Sequence, residues 1–193
     1  MITNAKILIF FIGSYTQMIS PNFGGNGKGI YTMSLNTETG EVNILHIASA
    51  TNPSYIALND DNNFLYSITE ISKKEEPVVQ AYKINEDYSL KFINSEPING
   101  NYPCHILYTL KGLLVSCYGS GNVIQFPILP SGEVTESITN YSHSGFGVNP
   151  DRQEMPHAHQ AVLHPNSVDV FVSDLGIDMI KAYKFSRDNL VKN

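Results

Sequence analysis

Arg152 opens the run Arg-Gln-Glu-Met-Pro-His-Ala-His, five residues before His157 and seven before His159, in a chain with two arginines and six histidines. A guanidinium offers a planar fork of donors that matches a carboxylate or a phosphate. An imidazole titrates near neutral pH and can take up or give away a proton. Side by side they form the polar floor of a site that binds an anion and moves a proton. Residues i and i+2 of a strand face the same side. The spacing therefore predicts His157 and His159 on one face, with one of them serving as general base. The structural alternative makes Arg152 a loop residue and the histidines hydrogen-bond partners of neighbouring strands. The other arginine, Arg187, stands in a plain turn sequence, which directs attention to Arg152.

Further candidates are scattered along the chain. His105 occupies the matching place in "YPCHI", Glu70 ends "LYSITE", Asp174 stands in "VSDLG", and Gln153 follows Arg152 directly. Carboxylates in such places line a channel mouth or cap a turn. Gln153, Glu70 and Asp174 are the candidates for contact with a substrate. His157 and His159 with His105 as a third ligand would make a zinc site, but the spacing is not a metal signature and no metal is expected. "GGNGKG" at 24–29 resembles a phosphate loop but has no GK[ST] and no helix pattern after it, so an inter-strand loop is expected. Ser14 and Ser144 lack the context of an activated nucleophile.

The bulk composition narrows the classes. Hydrophobic residues make up 42% and charged residues 16% of 193 residues, as in one globular domain. A net charge of −6 without a basic run argues against nucleic-acid binding. The longest apolar stretch, "ILIFFI" at 7–12, is too short to span a membrane and lacks the flanks of a signal peptide. Cys104 and Cys117 make neither a disulfide framework nor a CxxC pair. The chain is read as cytoplasmic.

The elements that must carry these residues are strands. Apolar runs of five to eight residues, rich in Val, Ile, Tyr and Phe, alternate with Gly, Asn, Asp and Pro, and helical periodicity is nearly absent. Three segments recur: "NPSYIALNDDNNFLYSITE" from Asn52, "YPCHILYTLKGLLVSCYGS" from Tyr102 and "MPHAHQAVLHPNSVDVFVSDLG" from Met155. Each leads to a third strand, "VVQAYKI", "NVIQFPI" or "MIKAYKF". Pro53, Pro103 and Pro156 mark the repeat. Polar turns at 36–42, 85–92 and 129–134 precede further apolar strands. A four-stranded unit recurring at this spacing is a β-propeller blade. The fold expected is all-β, a β-propeller of four-stranded antiparallel blades with segments at about 7–48, 53–98, 103–140 and 156–193. The first segment opens on a second strand, and the fourth strand of the last has barely begun. The expectation is about four blades of a larger ring, with open blade edges that invite self-association.

The strings "IGSYT", "GKGIYTMSLNTETGEV", "NPSYIALN", "RQEMPHAH" and "VSDLGIDMIKAY" resemble the 6-phosphogluconolactonase family of seven-bladed propellers, which includes the muconate-cyclising enzymes. The resemblance runs over nearly the whole chain and implies its N-terminal part only, about four blades of seven. It implies a cofactor-independent hydrolysis of a small anionic sugar lactone, 6-phosphogluconolactone, in the pentose phosphate route. It places Arg152, His157, His159 and His105 near the central channel. The other readings are a muconate-type lactone cyclase, a non-catalytic propeller that binds a ligand or protein, and an inactive fragment.

Overall fold

The computed structural model describes residues 6–165 and 168–192. The polar turn expected in the third repeat falls partly on 166–167, outside the described residues. Four antiparallel sheets follow one another along the chain, each a meander. The first holds β1 (Ile7–Ile12), β4 (Ile30–Asn36) and β5 (Val42–Ala48). Between β1 and β4 lies a small hairpin, β2 (Met18–Ser20) and β3 (Phe23–Gly24). The second sheet holds β6 (Ile56–Leu58), β7 (Phe64–Ile68), β8 (Val78–Ile84) and β9 (Leu90–Pro97). The third holds β10 (Pro103–Thr109), β11 (Gly112–Cys117), β12 (Asn122–Phe126) and β13 (Thr139–Ser142). The fourth holds β14 (Ala158–Leu163), β15 (Asp169–Asp174), β16 (Met179–Ser186) and β17 (Asn189–Lys192). The helical content among the described residues is one 3-10 turn at Lys73–Glu75.

The sheets stack face to face in chain order, and three apolar layers between them show it. Ile30 of the first sheet meets Leu65 and Tyr82 of the second. Tyr66, Ile68 and Val79 of the second meet Ile106, Val115 and Phe126 of the third. Leu114 and Val123 of the third meet Ala161, Val172 and Tyr183 of the fourth. The alternation within β11 sends Val115 to one neighbour and Leu114 to the other, so a strand buried on both faces reads as an almost continuous apolar run. Each fully buried side chain of this size contributes about 1.5–3 kcal/mol, and that drives the stacking.

Among the described residues the first sheet has three strands, with β1 at one edge. The outer faces of the stack are exposed: Leu8, Ile12 and Ile44 on the first sheet, Val162, Phe171 and Ile180 on the fourth. Among the described residues no helix is long and apolar enough to cross a membrane.

Two details depart from the sequence expectation. The turn at 129–134 is a side excursion closed by a bridge between Ile128 and Val134, and the outer strand forms only at Thr139–Ser142. Pro127 and Pro130 explain it, since neither has an N–H for a ladder. The third repeat also sits two residues later than its proline suggests. The carbonyls of Asn52, Tyr102 and His157 accept the N–H groups of Glu70, Tyr118 and Leu175 in turn. The register of Pro103 is thus taken by Ala158 rather than Pro156, and Tyr102 rather than His105 is the counterpart of His157.

Candidate functional site

Two connections build the site. One is the tight turn 118–121 between β11 and β12, and the other is the long loop between β13 and β14 that carries residues 143–157. Gly121 holds φ +59°, and a Cβ there would lie 2.4 Å from Cβ of Pro156. Only glycine lets the loop come down onto the turn.

At this meeting point Tyr118 gathers three of the expected residues. The His157 ring stacks on it with centroids 4.3 Å apart and planes 11° from parallel. The His159 ring meets it edge-on at 5.6 Å. An Arg152 Nη2 donates to its hydroxyl at 3.4 Å. His157 Nδ1 lies 2.8 Å from the Tyr118 carbonyl oxygen. A carbonyl only accepts, so Nδ1 carries the hydrogen and Nε2 of the neutral ring keeps its lone pair. Glu154 Oε1 stands 3.4 Å from that Nε2, placed to stabilise an imidazolium. The tautomer fixed through Nδ1, the basic Nε2 and a carboxylate beside that nitrogen are parts of a general base.

His157 and His159 do not share a face. β14 pairs Ala158 with Asp174 and Gln160 with Ser173, which leaves His159 as the extra residue of a β-bulge. A bulge breaks the two-residue alternation. His157 is therefore buried, at 6% exposure, and His159 is exposed. They meet only because both lean on Tyr118. Pro103 and His105 bracket the same irregularity in β10, where Cys104 is the extra residue.

The remaining candidates continue the lining away from Tyr118. Cys104 Sγ reaches the His159 carbonyl at 3.3 Å. Burial and the nearby Glu70 push this thiol up to about 12, so it stays protonated and is no nucleophile. Glu70 accepts the Tyr15 hydroxyl at 2.8 Å, and burial together with that carboxylate raises the Tyr15 pKa. His105 is buried against Tyr55, ring centroids 4.3 Å apart, and its Nδ1 has no hydrogen-bond partner.

Burial first, and then the charge of His159, lower the His105 pKa from 6.5 to about 4. The unfolded chain binds a proton there below 6.5 that the folded chain refuses, so stability falls as pH drops from about 6.5 towards 4. The loss at this one residue is on the order of 3 kcal/mol. Denaturant titrations at pH 7 and pH 4.5 are expected to show it, and His105→Phe is expected to remove most of the difference.

Gln153 and Asp174 do not face a ligand. Gln153 Oε1 accepts the Asn149 N–H at 2.9 Å, and its Nε2 donates to the Leu175 carbonyl and to Asp178. It holds the loop that displays Arg152. Asp174, 3% exposed, accepts the N–H groups of His157 and Gly176 on Oδ1 and His143 Nδ1 on Oδ2. Burial by itself would raise its pKa, but these donors outweigh it and the carboxyl titrates below its ordinary range. Both side chains spend their polar atoms on the protein, which leaves none for a substrate. Ser14 donates to the Gly29 carbonyl, an inter-loop tie, and 25–29 is the expected loop beside the small hairpin.

Two residues escape a reading of the sequence. Tyr118 lies in "CYGSG", which reads as a plain turn. His143 lies outside every repeated string, and its partners are 31 and 40 residues away. Among the described residues no three His, Cys, Asp or Glu side chains converge as metal ligands.

One three-stranded and three four-stranded antiparallel sheets stacked in chain order are the blades of a partial propeller. The sequence profile of the seven-bladed β-propeller lactonases matches residues 9–192, and the chain belongs to that family. It is 34% identical to the 6-phosphogluconolactonase of Bacillus subtilis over 91% of its own length and 49% of that protein. It is 29% identical to the 6-phosphogluconolactonase of Formosa agariphila over 92% of its length and 50% of that protein. The crystal structure of a candidate 6-phosphogluconolactonase from Bacteroides fragilis superposes with a TM-score of 0.87 at 30% identity, covering 97% of this chain and 52% of the other. The chain spans about half the length of the curated relatives it matches.

Proposed function

We propose that this chain supplies the Arg152 and His157 side of a lactonase channel, and that the assembled ring hydrolyses 6-phosphogluconolactone to 6-phosphogluconate. The observation that carries the reading is Tyr118: its hydroxyl accepts from an exposed guanidinium, its ring stacks on the His157 imidazole and its carbonyl fixes that imidazole's tautomer. The names of the relatives supply the substrate class.

Water gives up a proton to His157 Nε2 as its oxygen bonds to the lactone carbonyl carbon. The carbonyl π pair moves onto oxygen. When it returns, the ring C–O bond breaks and the imidazolium returns the proton to the leaving hydroxyl. Glu154 lowers the cost of the imidazolium, and Arg152 binds the phosphate through its fork. His159 and His105 complete the lining. No cofactor takes part in these steps. The uncovered faces of the first and fourth sheets, and the free edge of β1, are where further blades or another copy of the chain would dock to close the ring. The phosphorylated substrate and the pentose phosphate route place the work in the cytoplasm.

The test is Arg152→Ala with two substrates. KM for 6-phosphogluconolactone is expected to rise at least about tenfold, in line with the loss of a charge-assisted contact, while hydrolysis of unphosphorylated gluconolactone stays within about twofold. Equal effects on both substrates would remove Arg152 from the phosphate, and no effect on either would remove it from the site.

A further inference from the structure

We propose that His143 is a positioning residue for His157, acting from the third sheet through Asp174 of the fourth. The contacts form a closed circuit. The His143 backbone N–H donates to the Gly121 carbonyl at 2.8 Å. Its ring Nδ1 donates to Asp174 Oδ2 at 2.5 Å. Asp174 Oδ1 accepts the His157 backbone N–H at 2.8 Å, just where β14 begins. His157 Nδ1 then donates to the Tyr118 carbonyl, which returns the chain of bonds to the turn 118–121 from which it started.

The valences fit one protonation pattern. Tyr183 O–H donates to His143 Nε2 at 2.6 Å. Burial, and then the Asp174 charge, push the Tyr183 hydroxyl up to about 12, so it remains a donor. With Tyr183 protonated, His143 neutral and Asp174 ionised, each of these hydrogens has one acceptor. Both side chains of the His143–Asp174 pair are essentially out of water, so the contact is neither screened nor shared. His157, at the head of the fourth sheet, must stay seated on the turn 118–121 for its Nδ1–H to keep the Tyr118 carbonyl and with it the tautomer. The His143–Asp174 contact fixes the two sheets beside that stack. The effect on catalysis rests on the lactonase reading, whereas the circuit itself does not.

The test reads the His157 ring by long-range 1H–15N NMR and hydrogen exchange in the whole chain. In the unsubstituted protein both His143 and His157 are expected as Nδ1–H tautomers. His143→Ala is expected to speed exchange of the His157 Nδ1–H at least about tenfold. Tyr141→Phe, which removes another tie between the same sheets, the Tyr141 hydroxyl to the Leu190 carbonyl, is expected to leave it within about threefold. If His143→Ala does not fold, Asp174→Asn carries the test. Its oxygen can still serve His157 and Gly176, but its amide presents a donor to His143. His143 is then expected to switch to the Nε2–H tautomer and His157 exchange to rise.

An unchanged His157 signal in a folded variant of either kind overturns the proposal, as does a Tyr141→Phe effect equal to that of His143→Ala. Turnover of 6-phosphogluconolactone is followed on the same samples. A disturbed His157 with no turnover by the unsubstituted protein in a closed ring supports the circuit and counts only against the lactonase reading. Lost turnover with an undisturbed His157 overturns the circuit and leaves that reading standing.

Discussion

His157→Gln is expected to lower kcat for 6-phosphogluconolactone by about 10²–10⁴-fold, the range of a positioned general base, with KM within about threefold. Glutamine keeps much of the size of imidazole and can still donate an amide hydrogen to the Tyr118 carbonyl. What it lacks is a basic nitrogen where Nε2 stands beside Glu154. The effect should therefore fall on the chemical step rather than on binding. Steady-state kinetics by release of acid, with a blank for spontaneous ring opening, reads it directly. A variant with unchanged kcat would move the base elsewhere, and His159 would be the next residue to substitute. That residue is exposed and meets the Tyr118 ring edge-on.

Asp174→Ala is expected to be the most damaging substitution for stability, by at least about 3 kcal/mol, since each buried donor left without an acceptor costs about 1–3 kcal/mol. It strands three donors at once: the N–H groups of His157 and Gly176 and the His143 ring. None can turn to water, because the site lies between the third and fourth sheets. A shift of this size takes up a large part of the stability of an ordinary domain. Urea titrations at pH 7 read it as a lower midpoint. A stability within about 1 kcal/mol of the parent would mean that the cluster contributes little to holding the sheets together.

The layout of strands was open to reading because it rests on local signals. "GLLVSC" is apolar throughout since β11 is buried on both faces. "NTETGEV" and "NEDYSLKF" mark turns where β5 and β9 then start. "ILIFFI" and "GIYTMSLN" read as apolar runs and pair as β1 and β4 of the first sheet. The meeting of Arg152 with the two histidines was also legible, since all three fall in one short segment.

What could not be read depends on contacts that local patterns do not carry. One additional residue in β14 turns His159 out of the face that His157 occupies, and alternation alone has no sign of it. Pro156 takes the place of a repeat marker while the ladder registers on Ala158. Asp174 reads as an open carboxylate at a strand end, yet its partner His143 comes from another sheet. Tyr118, on which the site is organised, sits in a turn whose glycines draw the eye first.

The central claim is that a small anion binds over Tyr118 between Arg152 and His157. An NMR titration of the chain with 6-phosphogluconate, the product and so stable in solution, tests it without any need for turnover. The account predicts saturable shifts at the Arg152 side chain, the His157 and His159 rings and the Tyr118 amide, all lost in Arg152→Ala. Shifts confined to other surfaces, or none at millimolar product, would contradict it.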